Sequence, residues 1–185
     1  MHTDHTAAID HLLQAAIVFD RGDARRIQHL LKVHTFAALI GRLEGLDDET
    51  QYRLEAAAVL HDIGIHEAER TYGSSAGKYQ ELTGPRPARG LLAPLGFTAE
   101  QTDRICWLIA HHHTYTNVEG SDYQILLEAD FLVNAYEDNL SADAIRSFRD
   151  RIFRTRTGIE LLNASYGLQE KDFSSENAAE QLSAK

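Results

Sequence analysis

The chain has 185 residues, 43% of them hydrophobic, which suffices for one sizeable core, so we predict a single domain over residues 1–185. Its formal net charge of −10 at pH 7, without a basic cluster, argues against binding of a nucleic-acid polymer but not of a small phosphorylated molecule. Cys106 is the only cysteine and no apolar run reaches the roughly 20 residues that span a bilayer, so we expect a cytoplasmic protein with neither a disulfide nor a membrane anchor.

The first half of the chain predicts a series of helices. A first helix is expected over about 5–20, and Asp23 is placed to cap a second that ends at Gly45. A third carries the segment LEAAAVLHD and ends at Gly64, and a short fourth follows at about 66–72. The glycine- and serine-rich segment TYGSSAGK then predicts a loop.

The second half is also predicted to be helical. We expect one helix over about 79–95, and another that begins with a capping box at Thr98 and runs through ICWLIAHHH. After the loop TYTNVEGS, Ser121 is expected to cap a long apolar helix. Ser141 is expected to cap the next helix, which ends near Gly158.

No segment has the alternating apolar pattern of a strand, so the predicted fold class is all-α. The predicted domain has its core at about 23–140, further helices over 141–170 and a polar tail at 172–185. The oligomeric state is left open, and the helices after residue 140 are the natural surface for a homodimer contact.

Four predicted helices direct histidine or aspartate from otherwise apolar faces. The residues so placed are His34, the pair His61 and Asp62, the pair His112 and His113, and Asp130. A single buried histidine is ordinarily a satisfied core residue, but a buried carboxylate needs a cation or several donors. Neutral imidazoles with carboxylates suit several divalent ions, so the sequence predicts a metal site for Mn, Fe, Co, Zn, Ni or Mg.

The order of His34, then His61 followed directly by Asp62, then Asp130 resembles the H…HD…D pattern of the HD superfamily of metal-dependent phosphohydrolases. The likeness extends to LEAAAVLHDIG, ICWLIAHHH and LLEADFLVNA and covers about residues 23–140. It implies an HD-domain helical bundle. It also implies that these four side chains coordinate one metal ion, with Asp62 able to bridge to a second.

Some branches of this superfamily hold a second ion, and His112 and His113 match the histidine pair of that site. The remaining histidine of the second site is absent, because KYQELTGP has Gln80 or Glu81 at its place. One ion is therefore expected and the second is left open. The segment HDIGIH lacks the lysine of the cyclic-dinucleotide branch, and no GYP triplet follows HHHTYTN, so cyclic di-GMP is not an expected substrate.

The resemblance implies hydrolysis of a small phosphorylated substrate, either a nucleotide or another phosphoester. Asp62 is the expected residue to orient or deprotonate the attacking water. His66 is a candidate general acid, with an ordinary surface histidine as the alternative interpretation. Candidate substrate contacts are Lys78, Arg86, Arg89 and Tyr115, the last either stacking on a base or anchoring its loop.

Two other functions fit the same residues. A di-iron HD-fold oxygenase needs a complete second site. A non-catalytic regulatory module would hold its metal structurally, although structural zinc sites are usually rich in thiolates and this chain has one cysteine outside the motif.

Overall fold

The computed structural model describes residues 5–169, and every regular element in that range is a helix. The elements are α1 (His5–Phe19), α2 (Ala24–Leu43), α3 (Asp48–Leu60), α4 (Ile65–Tyr72), α5 (Gly77–Thr83), α6 (Pro85–Leu92), a 3-10 turn (Ala93–Leu95), α7 (Ala99–Ile109), α8 (Ser121–Glu137), α9 (Ala142–Ile152) and α10 (Arg156–Tyr166). The predicted all-α fold is confirmed. None of these helices is long and apolar enough to cross a bilayer. The polar tail predicted at 172–185 lies outside the described residues.

Helix α8 is the centre of the fold. Its side chains are buried on all sides, as the apolar sequence ILLEADFLVNA requires. It packs against α2 and α3, and α3 also contacts α1 and α7. Since α2, α3 and α8 carry inward-facing histidine or aspartate, and α7 leads into a histidine run, this packing brings the ionisable side chains together.

Most helix starts follow the predicted caps. The Asp23 and Ser141 side chains accept hydrogen bonds from the first turns of α2 and α9, and Thr98 forms the predicted capping box. The prediction that Ser121 caps α8 is wrong, because Ser121 is the first helical residue. Gly120 precedes it with a φ of +93°, a conformation that glycine adopts without strain.

Two predicted helices are each divided in two. The helix expected over 79–95 breaks at Gly84, because Pro85 has no N–H and begins a new helix, α6, as its first residue. The helix expected to end near Gly158 stops at Ile152. Buried Phe153 is extended there, and Thr155 caps α10, so Gly158 lies in the first turn of α10.

The division after Ile152 depends on a buried carboxylate of α8. Glu128 is 0% exposed and accepts hydrogen bonds from the backbone N–H of Arg154 at 2.7 Å and of Thr155 at 3.0 Å. It also accepts from the Thr155 hydroxyl and from the Gln124 amide. The non-helical link between α9 and α10 is thereby fixed to the central helix.

Gly64 allows the turn after α3 to approach α6. A Cβ at Gly64 would lie 2.5 Å from the Gly84 backbone nitrogen, so we expect Gly64→Ala to destabilise the protein by about 1 to 3 kcal/mol through overpacking. Gly90 is the matched control, because a Cβ there meets nothing within 4 Å and alanine favours the α6 helix. Urea unfolding should show the two substitutions shifting the midpoint in opposite directions. Equal midpoints would contradict the close approach.

Candidate metal centre

Three ligand atoms from three helices converge beneath a cleft. His29 Nε2 of α2 lies 3.1 Å from His61 Nε2 at the end of α3, and 3.3 Å from Asp130 Oδ1 of α8. His61 Nε2 lies 3.5 Å from the same Asp130 oxygen. Ligands about 2.1 Å from an ion are separated by roughly 3.0 to 3.4 Å in octahedral or tetrahedral arrangements, so these spacings fit one metal ion.

Hydrogen bonds fix the orientation of both imidazoles. The second nitrogen of His61, Nδ1, lies 2.8 Å from the Ala58 carbonyl oxygen, and His29 Nδ1 lies 3.1 Å from the Glu137 carboxylate. Both partners accept hydrogen bonds, so each Nδ1 is a donor and each Nε2 is the nitrogen directed into the cluster. The two Nε2 atoms lie 3.1 Å apart beside the Asp130 carboxylate, and a divalent ion among these three groups would replace the protons that otherwise join them. The donor set therefore fits a divalent metal.

Asp62 joins this cluster to a second one. Its Oδ2 lies 3.6 Å from His29 Nε2 and 3.7 Å from His61 Nε2, whereas its Oδ1 lies 3.3 Å from His112 Nε2. Asp62, His112 and His113 form a second group of ligand atoms within 4.8 Å of one another. Each carboxylate oxygen of Asp62 thus faces a different set of imidazoles.

The charges of the centre are balanced between carboxylates and imidazoles. Burial would raise the pKa of Asp130, but hydrogen bonds from His29 and His61 hold it well below its usual range. Burial likewise opposes a charged His29, yet Asp130 and the other nearby carboxylates raise its pKa to about 9. The ionised carboxylates therefore need positive charge, which imidazole protons supply until a metal displaces them.

In the second group of ligand atoms, formed by Asp62, His112 and His113, the His113 imidazole is uncharged. Burial and the neighbouring His112 lower the pKa of His113 to about 4, so its imidazole is neutral at pH 7. Gln80 is buried and places its amide oxygen 3.2 Å from His113 Nε2. Glu81 accepts hydrogen bonds from the Thr114 hydroxyl and from the His113 backbone N–H. Of the two residues at the place of the missing histidine, Gln80 is thus the one beside the His113 imidazole.

The assignment of His34 as a ligand requires correction. His34 lies on α2 but its Nε2 pairs with Glu55 at 3.0 Å, and it belongs to neither group of ligand atoms. His29 occupies the place expected for it. The buried face of α2 runs through His29, Val33 and Ala37 at four-residue spacing, and that pattern was the signal that could have identified His29.

This correction leads to a direct test. We expect His29→Gln to weaken metal binding by more than the roughly 10- to 100-fold that the loss of a supporting hydrogen bond costs. His34→Gln, the matched control on the same helix, should leave metal affinity unchanged. Isothermal titration of metal-free protein with Mn²⁺ or Zn²⁺ measures both. Weakened binding in His34→Gln alone would restore the original assignment.

Other predicted residues lie apart from the centre. His66 is 44% exposed with Nε2 3.4 Å from Asp20, in a separate surface pocket, and this position does not support a general-acid role. Lys78 lies over the Tyr79 ring, and Arg89 and Arg86 pair with Asp103 and Glu67 respectively. None of these three cations lines the cleft over the centre.

The cleft above the two groups has a volume of about 590 Å³. Tyr115, a predicted substrate contact, lines it together with Asp62, His113 and Asp130. Gly77 also lines the cleft, and a Cβ there would lie 2.5 Å from His113 Cγ, so only glycine allows α5 to approach this imidazole. Sequence reasoning missed Gly77, His29 and the supporting Glu137.

Comparisons with known proteins agree with this geometry. The family model described as HD domain matches residues 26–147. A crystal structure of a predicted HD superfamily hydrolase from an uncultured Thermotogales bacterium is 26% identical, with a TM-score of 0.59, over 96% of this chain and 91% of that chain. A search of curated proteins finds no match.

Proposed function

Because the chain belongs to the HD-domain family, we propose that it is a metal-dependent phosphohydrolase that cleaves a phosphoester or phosphoanhydride bond of a small substrate. The observation that supports this proposal best is the convergence of His29, His61, Asp62 and Asp130 beneath an open cleft. An open cleft leaves room for water and a phosphate beside the ligands, whereas purely structural metal sites are closed by protein ligands.

A divalent ion held by these four residues would supply Lewis-acid chemistry, polarising a phosphoryl oxygen and lowering the pKa of water. The protein's own contribution begins with Asp62. Burial would raise the pKa of this carboxyl, but the charge on His61 and the hydrogen bond with His112 lower it, so Asp62 remains ionised. Asp62 also keeps 23% of its side chain exposed and lines the cleft, where it can accept a hydrogen bond from water and orient it.

We propose that the second group of ligand atoms, Asp62, His112 and His113, binds a further ion less tightly than the first group does. His112 donates from Nδ1 to the Ile109 carbonyl, so Nε2, which lies 3.3 Å from Asp62 Oδ1, is the nitrogen that would bind a metal. With neutral His113 and the Gln80 amide oxygen it offers a weaker set of ligands than the first group, because one ligand is an uncharged amide. One ion bound by the first group is therefore proposed as the resident metal, with a second bound more weakly.

Metal analysis of protein purified without chelator, run beside a phosphatase and phosphodiesterase panel, tests the proposal. We expect one tightly bound divalent ion and hydrolysis of at least one phosphate ester, lost on chelation and restored by Mn²⁺, Co²⁺ or Zn²⁺. Two irons with no hydrolysis would favour a di-iron oxygenase. Bound metal without turnover of any kind would favour a regulatory module.

A further inference from the structure

The cleft over the metal centre is acidic. Among the described residues that line it are six carboxylates and two guanidiniums: Asp23, Asp62, Glu69, Asp130, Glu137 and Asp138, with Arg25 and Arg26. With neutral histidines, six negative and two positive charges leave −4, and Lys32, which lies outside the lining and pairs with Glu137 at 2.5 Å, offsets one of the negative charges. Two divalent ions would therefore bring the cleft close to neutrality. A substrate with several phosphates meets no large excess of positive charge here.

Of the two arginines, Arg25 alone has no partner within residues 5–169. Arg26 is occupied, because its Nε binds Asp23 at 2.7 Å and its Nη2 binds Glu69 at 2.8 Å. Arg25 is exposed and lies one helical turn before His29, so both side chains project from the same face of α2 toward the cleft. One free guanidinium, with its planar fork of donors, matches one phosphate group.

The lining of the cleft also includes aromatic side chains. Phe131 follows Asp130 directly and stacks on Phe148 with ring centroids 3.6 Å apart. The Tyr115 ring meets Phe148 edge-on at 5.2 Å and is 38% exposed. Leu140 also lines the cleft and is 37% exposed. An exposed phenol ring and a leucine beside a polar floor form a surface on which a planar ring can lie.

We propose that this cleft selects phosphomonoesters in which one phosphate is attached to a ring-bearing alcohol, and that it rejects compounds with phosphate chains. The inference rests on the proposed function and narrows its substrate. A single dianionic phosphate is matched by the metal centre and Arg25. Every further phosphate adds negative charge beside a lining in which carboxylates outnumber guanidiniums six to two, whereas sites that process phosphate chains surround them with several cations.

The reaction so defined balances without any further reagent. The oxygen of water forms a bond to phosphorus, and the bond between phosphorus and the bridging oxygen breaks. A proton from the water ends on the departing alcohol. The products are inorganic phosphate and the free ring-bearing alcohol.

Adenosine carrying one, two or three phosphates provides the test, since these compounds share a ring and differ in charge. With metal-loaded full-length protein we expect kcat/KM for the monophosphate to exceed that for the triphosphate by at least about tenfold. Glycerol 3-phosphate, which lacks a ring, should show a raised KM. A triphosphate hydrolysed as well as the monophosphate overturns the selectivity alone. No hydrolysis of any of the four compounds overturns the substrate class proposed here, and a failure on the whole phosphatase and phosphodiesterase panel overturns the proposed function as well.

Two variants assign the selectivity to its residues. Arg25→Ala should raise KM for adenosine monophosphate by about 10-fold or more, as loss of a charge-assisted hydrogen bond does. Arg70→Ala, which removes an exposed arginine outside the cleft, should not. Tyr115→Ala should abolish the KM difference between adenosine monophosphate and glycerol 3-phosphate, and Tyr115→Phe should retain it. Equal effects of Arg25→Ala and Arg70→Ala, or an unchanged difference in Tyr115→Ala, contradict the assignment.

Discussion

Asp62→Asn is expected to abolish tight metal binding at both groups of ligands and to lower kcat/KM by about 10³-fold or more. The reason is the position of its two oxygens, one facing His29 and His61 and the other facing His112. An amide has the same shape but carries no charge, and its nitrogen cannot accept. Metal content by mass spectrometry and steady-state kinetics on the best phosphoester substrate measure the two losses.

The control for this prediction is Asp103→Asn. It makes the same change of charge at a carboxylate that is 67% exposed and paired with Arg89 outside the cleft. Circular dichroism should show that both variants retain their helices. An Asp62→Asn protein that keeps a full complement of metal and wild-type turnover would mean that the centre lies elsewhere.

Glu128→Ala is expected to cost about 3 to 5 kcal/mol of unfolding free energy. Truncation leaves the N–H groups of Arg154 and Thr155, which point at the buried Glu128 carboxylate, without that acceptor, and each group left unsatisfied away from water costs about 1 to 3 kcal/mol. The Thr155 hydroxyl and the Gln124 amide lose the same partner. Urea unfolding at pH 7, followed by circular dichroism, gives the difference directly.

Two further variants bracket the effect of Glu128. Glu128→Gln keeps one acceptor oxygen and should lose less than the alanine variant. Glu160→Ala removes a 60% exposed carboxylate from a pair with Arg156 along α10, and its effect should stay below about 1 kcal/mol. If the alanine variants at 128 and 160 unfold at the same urea concentration, the link between α9 and α10 is not held by Glu128.

Much of the fold was predictable because its signals are local. Asp23, Thr98 and Ser141 begin helices through bonds to residues three positions away. The two divisions in the predicted helices differ in this respect. Pro85 is itself a local signal that was not used, whereas the break at Phe153 depends on Glu128, a residue 26 positions earlier than Arg154. The periodicity of apolar residues therefore cannot predict the contact between Glu128 and the Arg154 backbone.

The site shows the same limit. His61, Asp62 and Asp130 follow strongly apolar sequence, which indicates their inward direction. In α2, however, Leu30 and Leu31 are both apolar, so the face toward α3 and α8 is ambiguous by one position on the helical wheel. The packing of α2 against α3 and α8 places His29, rather than His34, beside His61 and Asp130. His34, with a side chain only 16% exposed, finds its own partner in Glu55.

The predicted phosphate contacts depended on a similar ambiguity. Arg86 and Arg89 follow the predicted glycine- and serine-rich loop, where a free cation is plausible, but folding brings Glu67 and Asp103 to 2.7 Å from them. Those acids lie 19 and 14 residues away in the chain. Of the two arginines that line the cleft, Arg25 has no ion-pair partner within residues 5–169, and no local sequence pattern indicates this.

The buried carboxylate of α8 also bears on how the protein opens in its native state. Amide hydrogens outside helices ordinarily exchange quickly with deuterium, because small local fluctuations expose them. The amides of Arg154 and Thr155 lie outside helices, yet each is held by Glu128 from the most deeply buried helix. Their exchange should therefore be as slow as that of α8 itself, so that the last two helices and the central helix open as one cooperative unit.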